Sequence, residues 1–116
     1  MRLGYVGLLS RTDEDNVALA AFFEQTLGLA VHGDAAGGYA EVKVGDARLA
    51  LHRGAMVDFA PLGGLLLQLG CDDVDAEVAA IRGRGGDIAL EPTDTDWGTR
   101  SAYVRGPQGL LVELST

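Results

Sequence analysis

The chain has one cysteine, few basic residues and no long apolar run, and each shortage excludes a class of protein. With Cys71 alone, no internal disulfide can form and no cysteine-rich metal cluster can be built. No basic residue lies near it in sequence to draw out a thiolate, so it reads as a small buried residue at a strand end. No stretch approaches the roughly 18–20 apolar residues that a membrane-crossing helix needs. The opening MRLGYVGLLSRTDED also lacks the apolar core and small-residue cleavage site of a secretory signal, so the expectation is a cytoplasmic protein without a membrane partner. Lys and Arg number 9 against 17 acids, giving a formal net charge of −8, and they form no cluster. Phosphate backbones demand a basic face, so nucleic acid is not an expected partner. The acid surplus accords with a cationic or neutral ligand, or simply with a solvated surface. Also missing are a serine, histidine and acid arrangement, a phosphate-cradling loop and a dinucleotide signature. GRGG at 83–86 follows a helical pattern rather than a strand and is a stop signal.

What is present is enough for one cored domain: 116 residues, 47% of them hydrophobic. LGYVGLL at 3–9 reads as a strand. Thr12 to Asn16 supply caps and acids for a helix start. Val17, Leu19, Phe22, Phe23 and Leu27 follow at three- and four-residue spacing, and Gly28 closes the helix. Leu29 to His32 form a short strand, followed by the flexible run DAAGG. Tyr39, Glu41 and Lys43 then alternate with Ala40, Val42 and Val44, and Arg48, Ala50 and His52 alternate with Leu49 and Leu51 around a Gly45-Asp46 turn. Val44 opposite Ala47 sets Glu41 against Ala50 and Tyr39 against His52. One hairpin face is therefore apolar, while the other carries Tyr39, Glu41, Lys43, Arg48 and His52. GAMVDFAPLGG at 54–64 reads as a linker whose Met56, Val57 and Phe59 lie on protein.

The order of elements then starts again. LLLQLGC at 65–71 is a strand, and Asp72 or Asp73 caps a helix carrying Val74, Val78 and Ile81. DIAL is a short strand, EPTDTDWGT a long loop, and SAYVRGPQGLLVEL a hairpin turning near Pro107-Gln108. Laying Tyr5 on Leu66 shifts the chain by 61 residues, and laying Ala50 on Glu113 shifts it by 63. Near-constant spacing across the chain indicates a duplication of strand, helix and three strands.

YVGLLS at 5–10, FFEQTLGL at 22–29, CDDVDAEVAAIRGRGGDI at 71–88, and WGTR with GPQGLLVEL at 97–114 together resemble the vicinal oxygen chelate superfamily. That superfamily includes glyoxalase I, extradiol dioxygenases, fosfomycin-resistance transferases and bleomycin-resistance proteins. The resemblance implies an α+β fold of two tandem βαβββ modules forming an open, curled sheet around a cavity with the helices outside. The expected layout is a single domain over 1–116, with module one at 1–54, a linker at 55–63 and module two at 64–116. It also implies a homodimer, and in several members the partner subunit completes the cavity. Metal-dependent relatives place ligands at positions that here are Tyr5, Ala50, Leu66 and Glu113, where a histidine would be expected at 5 and 66 and an oxygen or nitrogen ligand at 50. Only Glu113 is of ligand type, so the usual divalent-ion chemistry is not expected, nor is any cofactor. A displaced set of Glu41, His52 and Glu113 is the less favoured alternative. GPQG at 106–109 departs from the family's aspartate-rich turn but keeps Pro107 and Gly109.

The residues expected to contact a ligand are Tyr5, Tyr39, Glu41, Ala50, His52, Leu66, Gln68, Trp97, Arg100 and Glu113. Aromatic walls, small residues and a few polar handles suit a small aromatic or cationic organic molecule. Trp97 either touches ligand or anchors its loop, and Arg100 either pairs with Glu113, meets an anionic ligand group or sits on the surface. The expected function is metal-independent sequestration of an antibiotic or natural product in a dimer cavity, of the bleomycin-resistance type, with no catalytic residue. The alternative is an enzyme of the same superfamily, with a displaced metal or with acid and base chemistry from Glu113, Glu41 or His52.

Overall fold

A computed structural model describes residues 1–2, 5–56, 59–60 and 62–116. The chain divides into two compact units, Met1–Leu62 and Gly63–Thr116. Each has the same plan, a four-stranded sheet and a helix, so the fold is the expected α+β pair of βαβββ modules.

In the first unit β1 (Val6–Ser10) leads into α1 (Asp13–Ala21), and β2 (Ala30–Asp34), β3 (Tyr39–Val44) and β4 (Ala47–Arg53) follow as a meander. The sheet order is β1-β4-β3-β2, with β1 parallel to β4 and the remaining pairs antiparallel. Leu3 and Gly4, included in the expected first strand, lie outside the described residues. The predicted hairpin register is found: Tyr39 faces His52, Glu41 faces Ala50 and Val44 faces Ala47. Its turn depends on Gly45, whose φ of 57° is unfavourable for residues with a Cβ.

The Thr12 hydroxyl caps α1 by accepting from the Asp15 amide at 3.1 Å. Val17, expected on the buried stripe, is exposed, and Asn16 is buried in its place. The reason is polar: the Asn16 amide donates to the Ala35 carbonyl at 3.1 Å and so satisfies the turn between β2 and β3. A π turn at Phe22–Thr26 then widens the helix, a shift of phase that strict three- and four-residue counting misses. Leu19, Phe22, Phe23 and Leu27 enter the core beside Leu8, Val42 and Leu51. Gly28, at φ 74°, ends the helix as expected. In the linker, Met56 is fully exposed instead of lying on protein, while Phe59 is half-buried beneath the Arg11 guanidinium, 5.6 Å from its ring centre. Val57 lies outside the described residues.

The second unit contains β5 (Leu66–Gly70), α2 (Val74–Gly83), β6 (Asp87–Asp94), β7 (Arg100–Arg105) and β8 (Leu111–Ser115) in the order β5-β8-β7-β6. Asp73 is the cap, accepting from the Ala76 amide at 3.0 Å, and Val74, Val78 and Ile81 are buried. The expected short strand DIAL continues to Asp94, so the long loop shrinks to residues 95–99. Two register shifts in the β6–β7 ladder break the alternation that would have announced the longer strand. Pro92 is tolerated there because β6 is the outer strand of its sheet.

The duplication holds at residue level. Gly7 pairs with Ala50 in one sheet and Gln68 with Glu113 in the other, so the same shifts of 61 and 63 residues carry one pair onto its equivalent. No described helix is long and apolar enough to cross a membrane.

Candidate functional site

Alternation gives each sheet one face toward its helix and one away from it. In the first unit Ala40, Val42, Leu49 and Leu51 face α1, leaving Tyr39, Glu41, Ala50 and His52 on the other side. The Tyr39 and His52 rings meet edge to face, with centroids 4.9 Å apart at 90°. Tyr5 stacks on the same imidazole, with centroids 5.7 Å apart at 17°. Gly7 lies against both rings: a Cβ there would stand in ordinary contact, 3.4 Å from the Tyr5 ring and 3.7 Å from His52. Ala50, fully buried, is the small residue beside it on the neighbouring strand. The three rings form an aromatic corner in which Tyr5 and Tyr39 remain 48% and 43% exposed.

Glu41 gives this corner its charge. One oxygen accepts from the Tyr39 hydroxyl at 2.8 Å and from the Arg48 guanidinium at 3.3 Å. The hydrogen bond to Glu41 raises the Tyr39 phenol above its ordinary value, reinforced by desolvation and by the Glu41 charge, with Arg48 opposing. His52 Nε2 is buried without a hydrogen-bond partner among the described residues. His32, not singled out from the sequence, is paired with Glu41 across β2 and β3. The hairpin register alone could not place it, because the pairing of β2 was not predicted.

In the second unit Glu113 is 8% exposed and is held by neutral donors. Ser101 donates to one oxygen at 3.0 Å and Gln68 to the other at 3.4 Å. Ser115 lies 3.3 Å from the Ser101 hydroxyl and Thr99 3.4 Å from it, with Thr95 a further 2.9 Å from Thr99. Ser101 directs its proton toward Glu113 and Ser115, while Ser115 donates to the Thr116 carbonyl at 3.3 Å and Thr95 to the Thr99 carbonyl at 3.0 Å. Tyr103 stands opposite Glu113 on the same face. Ser101 and Tyr103 were legible in principle, since the β7–β8 hairpin register puts both beside β8.

Arg100 does not reach Glu113. One residue before Ser101, it points to the opposite face, where it binds Asp75 of α2 through Nε at 2.6 Å and a terminal nitrogen at 2.9 Å, and Asp94 at 3.0 Å. Trp97 is 74% exposed at the tip of the 95–99 turn. That turn is anchored by Thr95 and Thr99, whose backbone and hydroxyl groups bond each other, and not by the indole. Leu66 is 45% exposed at the start of β5. Cys71 is half-buried, and its thiol is pushed up by burial first and then by Glu77, Asp72 and Asp73, the opposite of an activated nucleophile.

The residues at the four positions implied for a metal do not fit one. Ala50 and Leu66 carry no donor atom, and a neutral tyrosine is a poor ligand for divalent ions. Within either unit, the described residues include no group of three His, Cys, Asp or Glu side chains that could hold an ion.

Comparison with known proteins agrees with the duplicated fold. A search of curated proteins found no match. Among solved structures, a protein described as a conserved domain protein is 25% identical, with 99% of this chain and 97% of that one covered at a TM-score of 0.81. A glyoxalase/bleomycin resistance protein/dioxygenase from Nocardioides is 21% identical over 99% and 83% of the two chains, with a TM-score of 0.74. A family enzyme of the same description from Burkholderia phytofirmans PsJN is 17% identical over 99% and 98%, also at 0.74. The family model itself matches residues 5–114. The chain belongs to the glyoxalase/bleomycin resistance protein/dioxygenase superfamily.

Proposed function

We propose that this chain is a metal-independent binding protein that sequesters a small, planar and cationic natural product or antibiotic, acting in the cytoplasm as a homodimer. The observation that carries this reading is the corner of Tyr5, His52 and Tyr39 with the Glu41 carboxylate at its edge. Aromatic faces attract both flat rings and cations, the latter through the ring quadrupole. A carboxylate beside them favours positive charge, and the net charge of −8 draws a cation from solution. Alanine and leucine at two metal positions direct the family scaffold toward binding by shape and charge.

The test is calorimetric titration of a panel of planar cationic natural products, followed with Tyr39→Ala and with metal analysis of the purified protein. A panel member that binds is expected to lose about tenfold in affinity in the variant, a fair return for one aromatic contact with a cation. Absence of any binder, or one tightly held divalent ion per chain, would overturn the proposal.

A further inference from the structure

A cleft lies within the second unit, where β5 and β8 begin and β7 ends. It encloses about 370 Å³ and is lined by Leu65, Leu66, Arg105, Gly109, Leu110 and Leu111. Small-molecule sites begin at roughly 300 Å³, so the cleft can hold a compact ligand. Leu66, Leu111 and Arg105 occupy one row of the sheet: Leu66 pairs with Leu111, and Leu111 with Arg105. Gly106 and Gly109 line it at either end of the Pro107–Gly109 turn, where Gln108 at φ 59° and Gly109 at φ 81° turn the chain back tightly.

The chemistry of this cleft is opposite to that of the aromatic corner. Its floor is apolar, and Leu66 remains nearly half exposed. Arg105 is its one charged residue and the one cation among the described residues on this face of the sheet. Its guanidinium contacts Asp87 at 3.2 Å, but both side chains are more than half exposed, at 58% and 65%. Such a pair is weak and exchanges readily. Asp87 sits across from Arg105 on β6, outside the cleft lining, and a bound carboxylate would offer Arg105 the same planar two-oxygen partner from within the cleft. Glu113, next along β8 on the same face, repels an anion from the interior and leaves the Arg105 end as its anchor.

We infer that this cleft binds a small molecule with a carboxylate on an apolar body. The inference shares only Leu66 with the expected ligand contacts and stands independently of the function proposed above. Phenylacetate and phenethyl alcohol, which present similar rings with and without the acid, are titrated into the isotopically labelled full chain by NMR. Phenylacetate is expected to shift the amides of Leu66, Gly106, Gly109 and Leu111, and the alcohol to bind about tenfold more weakly, the loss typical of a charged hydrogen-bonded contact. Arg105→Gln should weaken phenylacetate to the level of the alcohol. Asp87→Asn should strengthen it several-fold by removing the competing carboxylate, and this variant keeps the test decisive should the first fail to fold. Equal binding of the two probes, shifts elsewhere, or weakening by Asp87→Asn would overturn the inference.

Discussion

At the scale of single residues, Glu113 is the most demanding side chain in the molecule. A carboxylate 8% exposed, with a hydroxyl and an amide as its donors, is partly solvated by protein but accepts from no cationic group among the described residues. Stability alone does not favour such a residue. Glu113→Gln should leave chemical-denaturation stability unchanged or improved, because the carboxamide still accepts from Ser101 without carrying a buried charge. Ser101→Ala should destabilise the protein by about 1–3 kcal/mol, the range for removing the partner of a buried polar group. The reverse order in the two denaturation curves would show that the charge is compensated. The acid was legible in the sequence because it interrupts an apolar strand. Its donors were less so, since Ser101 is a small polar residue with no chemical signature of its own and shows its place only once β7 is registered against β8.

Elements were legible where local chemistry dictated them and obscure where tertiary contacts did. Gly45-Asp46 fixed a hairpin register to the residue, and Asp73 with Val74, Val78 and Ile81 fixed α2. The bulged β6 and the π turn after α1 were not legible, because each breaks the period from which strands and helices are read. Arg100 belongs to this scale, as it joins β7 to the first turn of α2 through a two-point contact with Asp75. Arg100→Ala should therefore lower the thermal midpoint modestly, with Asp94 adding to the loss. The hydrogen bond from Arg100 holds the Asp75 carboxyl below its ordinary 3.8. A depressed acid stabilises the folded state above its unfolded value and loses that contribution as pH falls through the folded one. The wild-type advantage should thus be flat at neutral pH and fade below about 3.8 in thermal melts; an advantage that persisted there would assign the effect to packing of the arginine stem.

The whole chain joins two similar units, each with one helix on one face of a sheet. Small units of this kind bury a modest share of their surface and depend on further contacts for stability. Apolar side chains are left over: Tyr5, Val6, Val17 and Tyr39 in the first unit are all more than a third exposed. A second copy is the partner we propose for the face that carries Tyr5 and Tyr39, consistent with the dimer implied by the family resemblance. Charge works against it, because each copy carries −8 and two such copies repel. Salt shortens the range of that repulsion to about 8 Å at physiological strength and less above it, while leaving apolar burial intact. Light scattering behind size exclusion should therefore give twice the chain mass of 12.1 kDa, with dissociation on dilution occurring more readily at low salt than at high. A mass of one chain at every concentration and ionic strength would remove the dimer, and a dimer weakened by salt would show that opposite charges, and not the exposed tyrosines, hold the copies together.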